Sequence, residues 1–437
     1  FDVTGKPART AGRADPSTVV GCAEGRFGMN ALKEKFQRVQ DALASQFLGK
    51  EETIRLMLVC AVAGEHLCLI GPPGTAKSAL IRAFAKLLDA RYFEYLLTRF
   101  SEPNEIFGPV DLQAFRSGRY HRVTTSMLPE AEIAFLDEAF KANSAILNSL
   151  LTLLNERKFN NGADVMHVPL ISMFAASNEV PQDDALGAVF DRFLLRVHSD
   201  NVDSFHFHEL LTKGLALERA AVTEREAAEA QITTPQRIGV TAKELHGCQR
   251  QLLQWVTFPE EFMATYKGLV FQIRSEGVSL SDRRLVKMLK LFAANALVDG
   301  RNAVHEGDLM LLKHTWNQLD QREILQDLID PIVTRYFNEH PAERPRMARP
   351  DLERLIAELD LVHRTVTSGG ELSDIQLFTQ LRALSDLRTA FQAHGGPTAQ
   401  KMVERIEALH RGILEGGRMG AGAERGTPLR SIPGALK

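Results

Sequence analysis

The apolar positions along the chain change period in an ordered way. From Asn30 they recur every three or four residues, at Leu32, Phe36, Val39, Leu43 and Phe47, which predicts a helix with one apolar face. His66 to Ile70 (HLCLI) is then a short continuous apolar run. A Gly/Pro turn follows it, and then an apolar helical stretch from Ser78 to Leu88. Ile133 to Leu136, Leu170 to Ala175 and Phe193 to Val197 are further buried-strand patterns, separated by helical stretches such as Ala142 to Glu156. Strands alternating with helices predict an α/β fold, a parallel sheet covered on both faces. Two segments interrupt the rhythm. Phe107 to Val123, around Ser117-Gly118, and Arg157 to Pro169, around Asn160-Asn161-Gly162, both predict β-hairpins inserted into that core.

Beyond about Ser204 the strand patterns stop and helical periodicity dominates to about Asp320. Glu218 to Gln231 is polar and leads into a loop. Helical patterns resume from Gln321 to Gly416, broken at His340-Pro341 and Ser368-Gly369-Gly370. Phe1 to Gly28 is rich in Gly, Ala, Arg, Thr and Pro, has no apolar period and starts without methionine. It reads as a disordered leader, with Met29 as a natural start. The expected organisation is therefore a leader over 1–28, an α/β domain over 29–203 and an all-α domain over 204–320. A C-terminal helical region follows over 321–416, then a Gly/Arg/Pro-rich disordered tail over 417–437.

Composition narrows the function classes. At 437 residues, 44% hydrophobic and 24% charged, the chain has the length and make-up of two or three globular domains. A formal net charge of −3 gives no support for a general nucleic-acid binder. The aromatics are not interleaved with Lys and Arg as a base-stacking platform requires. Cys22, Cys60, Cys68 and Cys248 form no CxxC pair, so zinc is not expected, and a cytosolic, reducing compartment fits best. No apolar run is long enough for an integral membrane segment.

The chemistry concentrates at one strand-to-helix junction. Gly71-Pro72-Pro73-Gly74-Thr75-Ala76-Lys77-Ser78 follows a strand and opens a helix, which makes it a Walker A loop with alanine in place of the usual last glycine. A glycine-rich turn lets backbone N–H groups face phosphate oxygens, and the helix N-terminus adds positive partial charge. Lys77 is expected to neutralise the β and γ phosphates and Ser78 to ligate magnesium, with Leu80 one turn into the helix completing the set. Ala76 is a mild change if its φ is negative, because a methyl group then fits. Ile133 to Glu138 (IAFLDE) is a Walker B strand. Asp137 is expected to hold the Mg2+ shell and Glu138 to act as general base on the attacking water. An apolar run ending in Asp-Glu is by itself only a solvated strand end, and its place downstream of the loop gives it meaning.

Asn178 follows the next strand and can align water against the γ-phosphate, although a cap or turn role is the plain alternative. Arg192 is a candidate finger across a subunit boundary, with a surface ion pair as the alternative. Arg283 begins a helix of the lid and is a candidate for the phosphates, with Arg284 a close rival. His198, His206 and His208 could be grouped as a metal site, but a structural role is the plainer reading. Trp255 and Trp316 fall in helical patterns and are expected in the core.

The order Walker A, Walker B, Asn178, Arg192, Arg283 resembles the AAA+ ATPases. Within them, GPPGTAKS, FLDE and DRFLLRV resemble the MoxR group. Phe93 to Ser101, Leu128 to Ile133, Ala145 to Asn148, Leu154 to Arg157 and Ser281 to Arg284 are similar to its RavA (regulatory ATPase variant A) branch. The resemblance spans about Leu32 to Asn317. It implies ATP and Mg2+ at the interfaces of a ring homo-hexamer. Asn178 becomes sensor 1, Arg192 the trans arginine finger and Arg283 sensor 2. Phe47, Leu48 and Gly49, followed by Lys50, match the segment near adenine, and the two inserts match pore-facing elements. It also implies a partner carrying a von Willebrand A domain. The β-rich insertion of the RavA branch has no counterpart between Gln321 and Gly416, so that branch's decarboxylase partner is not carried over. The leading expectation is an ATP-driven remodeller of protein complexes. The alternatives are a DNA-acting ring motor, which would use Arg116 and Arg119, and a nucleotide-gated binding scaffold.

Overall fold

A computed structural model describes residues 20–181, 183–199, 239–344, 352–367, 374–394 and 396–419, with isolated positions between 211 and 219. The chain divides into two compact units. One holds residues 1–201 and 219–345, the other residues 202–218 and 346–437.

In the first unit, α1 (Val20–Gln46) buries Phe36, Val39 and Leu43 completely, as the period of its apolar positions dictates. It begins at Val20, inside the segment expected to be a leader. Next, α2 (Glu51–Ala63) is buried on every side from Thr53 onward. Gly64 closes it in the left-handed region (φ 70°), donating to the Ala61 and Cys60 carbonyls.

β1 (His66–Ile70) follows, then α3 (Lys77–Leu87), β2 (Tyr92–Leu96), the short helices α4 (Pro103–Phe107) and α5 (Leu112–Arg116), β3 (Ile133–Asp137) and α6 (Ser144–Glu156). The hairpin β4 (Lys158–Asn161) and β5 (Asp164–His167) precedes β6 (Ser172–Ser177), α7 (Asp184–Phe190) and β7 (Phe193–His198). Five strands form one sheet in the order β2-β3-β6-β1-β7, every pair parallel. Burial of β1, β3 and β6 on both faces accounts for their continuous apolar runs.

Three expectations need correction. β2 has no counterpart in the sequence reading. As an edge strand it mixes apolar residues with Glu94, which Arg82 of α3 grips at 2.8 to 3.1 Å. β6 starts two residues later than expected because Leu170 and Ile171 are core residues of the approach, not of the ladder. Residues 107–123 are not a hairpin. Asp111 accepts from the Gln113 and Ala114 amides and so caps α5, leaving a single antiparallel bridge between Val110 and Arg122. The expected hairpin over 157–169 is present as β4-β5. The two inserts are joined: Phe107 stacks on Phe159 at 5.2 Å, and Asn161 exchanges hydrogen bonds with the Arg122 backbone.

The helical part of this unit contains α8 (Ala242–Trp255), α9 (Glu260–Ser275), α10 (Asp282–Val298), a tight helical turn over Glu306–His314 and α11 (Gln321–Glu339). Trp316 is buried and Trp255 packs half-buried against the core. Leu325, Ile329, Val333 and Phe337 of α11 bury in the same core, so α11 belongs to the lid rather than to a separate region from 321. The lid is tied to the α/β part by charge. Arg55 of α2 bonds Asn295 and Asp299 of α10. The buried Glu65, just ahead of β1, accepts from Lys287 and Lys290 of α10, each at 2.8 Å.

The second unit is a three-helix bundle of α12 (Leu352–Thr367), α13 (Asp374–His394) and α14 (Pro397–Met419). Its own core includes Leu355, Leu359, Leu384, Leu387, Phe391, Val403 and Ile406. Of the tail expected over 417–437, residues 417–419 instead close α14; residues 420–437 and the leader before Val20 lie outside the described residues.

Candidate functional site

All five parallel strands point their C-terminal ends to one edge, and the loops leaving that edge carry the candidate residues. Gly71 leaves β1 at φ 151°, and a Cβ there would stand 2.3 Å from the Ser199 carbonyl oxygen, so only glycine fits. The loop is pinned on both sides. Gly71 donates to the Ser177 carbonyl of β6 at 3.0 Å, and Ser199 beyond β7 donates to the Ile70 carbonyl at 2.7 Å.

Gly74 and Ala76 both adopt positive φ, 84° and 60°. The expectation that Ala76 sits comfortably at negative φ is therefore wrong. It takes the left-handed conformation that directs successive backbone N–H groups into an anion nest, and its Cβ adds strain of about 1 kcal/mol. Lys77 is buried and folds its ammonium onto the loop, donating to the Gly71 and Pro72 carbonyls at 2.8 Å each. Burial pulls its pKa below the ordinary lysine value, against the opposing pull of Asp137 and Glu138. Ser78 is half-buried in the first turn of α3, Pro73 is exposed, and Leu80 is buried against the sheet.

Asp137 ends β3. Burial raises its pKa above the ordinary aspartate value, and the neighbouring Glu138 charge adds to the rise. Glu138 occupies the left-handed region (φ 52°, ψ 41°), unusual for a residue with a Cβ and a mark of a constrained site. That backbone turn brings its carboxylate to Asn178 beyond β6, whose Nδ2 donates to Glu138 Oε1 at 2.5 Å, while Lys141 pairs with Oε2 at 3.3 Å. Lys77, Asp137, Glu138 and Asn178 thus meet at one edge, as their strand positions predict.

Phe47 is buried and Leu48 half-buried beside Gly49, which turns at φ 66°. The next link, through Ser199, has no counterpart in the sequence reading. Lys50, buried, donates to Ser199 Oγ at 3.1 Å, and Ser199 Oγ donates to Thr75 Oγ1 at 3.2 Å. This chain joins the segment expected near adenine to the phosphate loop. No spacing rule signals it, because Lys50 and Ser199 meet only through the fold.

Arg192 and Arg283 lie elsewhere. Arg192 precedes β7, at the N-terminal edge of the sheet, where Phe193 pairs with His66. Arg283 opens α10, whose next turn holds Glu65 at that same edge. The two converge on Asp191 Oδ2, at 3.5 and 3.0 Å. The length of a five-residue strand, about 16 Å, separates this edge from the phosphate loop of the same chain. Arg284, the rival, is buried and bonds the Thr315 carbonyl and Asn317 Oδ1; burial lowers its pKa to about 10. Arg196 of β7 is also buried, stacked 3.9 Å over the Phe190 ring and bonded to Asn317. Among the described residues no His, Cys, Asp and Glu cluster fits a metal ion; His206 and His208 lie outside them.

The donor set fits a magnesium nucleoside triphosphate. It offers a backbone nest, one ammonium, a hydroxyl in the first turn of a helix and a carboxylate at a strand end.

Comparison with known proteins agrees with this geometry. Residues 34–237 match the family model described as the MoxR domain in the MoxR-vWA-beta-propeller ternary systems, and residues 263–329 match an AAA lid domain. Two uncharacterised proteins of Methanocaldococcus jannaschii are 36% and 38% identical over 313 and 288 residues. These spans are 71% and 65% of this chain, and 78% and 72% of theirs. Protein MoxR of Paracoccus denitrificans is 28% identical over 38% of this chain and 50% of its own length. In fold, the crystal structure of an ATPase candidate from Cytophaga hutchinsonii superposes with a TM-score of 0.55 at 16% identity, covering 72% of this chain and 98% of that one. With the Walker A nest, the Asp137-Glu138 strand end and the helical lid joined in one unit, the chain belongs to the MoxR family of AAA+ ATPases.

Proposed function

We propose that this chain hydrolyses ATP, as a RavA-like MoxR protein, to drive the remodelling of protein complexes. The observation that carries the reading is the Glu138–Asn178 hydrogen bond beside the Walker A lysine. A carboxylate held by an amide at the edge where the phosphates belong is built to polarise one water molecule. The backbone nest and Lys77 bind the triphosphate, and Lys77 exchanges its two loop carbonyls for phosphate oxygens. Asn178 holds Glu138 in place and aligns the water. Phe47, Leu48 and Gly49 pack near the base. Mg2+ held by Ser78 and Asp137 would supply charge neutralisation on the transferred phosphoryl group.

Arg192 and Arg283 support a ring. On the far edge of the sheet they are out of reach of their own phosphate loop, and a neighbouring copy's nucleotide is the target that fits them. A homo-hexamer with ATP at its interfaces accommodates this. The description of the matching model supports a partner with a von Willebrand A domain. The joined inserts expose Leu112, Phe115, Tyr120 and Val165, apolar surface that fits a polypeptide client better than the phosphates of DNA. Buried free thiols at Cys60, Cys68 and Cys248, the last two raised to about 12 and about 11 by burial, fit a reducing, cytoplasmic setting.

The test is nucleotide binding set beside turnover. Lys77→Ala is expected to lose both, and Asn178→Ala to keep binding while losing turnover about 10–100-fold. An Asn178→Ala protein that hydrolyses ATP at the wild-type rate would sink the reading.

A further inference from the structure

Three guanidinium groups face the single carboxylate of Asp191. Arg192 and Arg283 reach Oδ2 at 3.5 and 3.0 Å, and Arg284 Nε lies 3.8 Å from Oδ1. The cluster therefore has more positive than negative charge, and like charges this close need an anion between them. The three arginines differ. Arg284 is fixed, with 2% of its side chain exposed and with bonds to the Thr315 carbonyl and Asn317. Arg192 is mostly buried, and its Nε has no hydrogen-bond acceptor among the described residues. Arg283 has 42% of its side chain exposed and, among the described residues, is held on this side only by Asp191 Oδ2.

We propose that Asp191 is a positioning residue, which holds Arg192 and Arg283 side by side so that both meet the terminal phosphate of a neighbouring copy's nucleotide together. The proposal rests on the reading above, that these arginines complete a neighbour's site. Arg284 anchors the carboxylate from below. Asp191 stands as the anion between the two outer guanidiniums until the phosphoryl oxygens take that place. Without its charge the two cations repel one another and splay, and the phosphate meets one of them at a time. Nothing in the residue order Phe190-Asp191-Arg192 signals this role. It emerges because α10 brings a second and a third arginine to the same carboxylate.

The experiment uses the full chain and compares steady-state ATP turnover of wild type, Asp191→Asn, Glu138→Gln and equimolar mixtures. Asp191→Asn is expected to lower kcat about 10–100-fold while KM stays within about threefold, because its own phosphate loop is intact. Mixing it with Glu138→Gln chains, which keep sound arginines but lack the base, is expected to restore turnover. Combining Asp191→Asn with Arg283→Gln is expected to be no worse than either alone, since the two act as one unit. Wild-type kcat in Asp191→Asn, failure of the mixture to recover, additive losses, or loss of nucleotide affinity as for a structural residue would each overturn the proposal. If Asp191→Asn does not fold, Asp191→Glu keeps the charge one methylene out of place. A reduced kcat that Glu138→Gln chains complement supports the proposal, and an unchanged kcat overturns it. Absent turnover in wild type would instead count against the ATPase reading.

Discussion

Ala76 turns left-handed at φ 60° in the phosphate loop, a conformation that glycine adopts without strain. Ala76→Gly is therefore expected to stabilise the nucleotide-binding unit by about 0.5–1 kcal/mol, read as a later thermal or urea transition. Asp137 makes a second residue-scale case. Its folded pKa lies above the unfolded value, through burial first and the Glu138 charge after it. The folded state thus binds more protons than the unfolded one in that window, so this group's contribution is fully present below the unfolded pKa of about 4 and is lost as pH rises through the raised value. Asp137→Asn is expected to be more stable than wild type in urea at pH 7, with the advantage gone near pH 4, and to be inactive. The loop and Asp137-Glu138 were legible in the sequence because phosphate binding demands those residue types in that order. The backbone sign at Ala76 and the meeting of arginines at Asp191 were not legible. One depends on a dihedral angle, the other on residues far apart in the chain.

At the scale of elements, the sheet is held to the lid by a buried charge cluster. Glu65 is 3% exposed and is held between Lys287 and Lys290 of α10. Burial alone would raise its pKa, but the two ammonium groups outweigh that and hold it below the ordinary glutamate value. Such a group stabilises above the unfolded pKa of about 4.3, and its contribution is lost as pH falls through the lowered folded value. Glu65→Gln leaves two half-buried ammonium groups short of a counter-charge and is expected to cost about 1–3 kcal/mol at pH 7. Urea unfolding at pH 7 and in acid checks this; equal midpoints for both proteins at pH 7 would contradict it. The elements themselves were unequally legible. β1, β3 and α3 showed in the sequence because burial makes their runs continuous or their period regular. β2 did not, since an edge strand carrying Glu94 has no such run. Residues 107–123 were misread because Ser117-Gly118 resembles a hairpin turn, whereas Asp111 capping α5 decides for a helix.

For the whole molecule, the edge that carries the phosphate loop and the edge that carries Arg192 and Arg283 lie at opposite ends of the same strands, and on this separation rests our proposal that a neighbouring chain completes each site. The α/β core and helical lid could be read from where strand patterns stop. The lid's extent could not, because helical periodicity in α11 does not say which core it joins; only the burial of Leu325 and Ile329 among lid residues does. The most direct measurement is ATP turnover per chain against chain concentration, for wild type and Glu138→Gln side by side. If Glu138 is the base of a site completed by a neighbour, wild-type turnover per chain rises with concentration to a plateau while Glu138→Gln stays at background throughout. Equal rates for the two proteins, or a wild-type rate per chain already at its plateau where the protein is monomeric, would contradict the account.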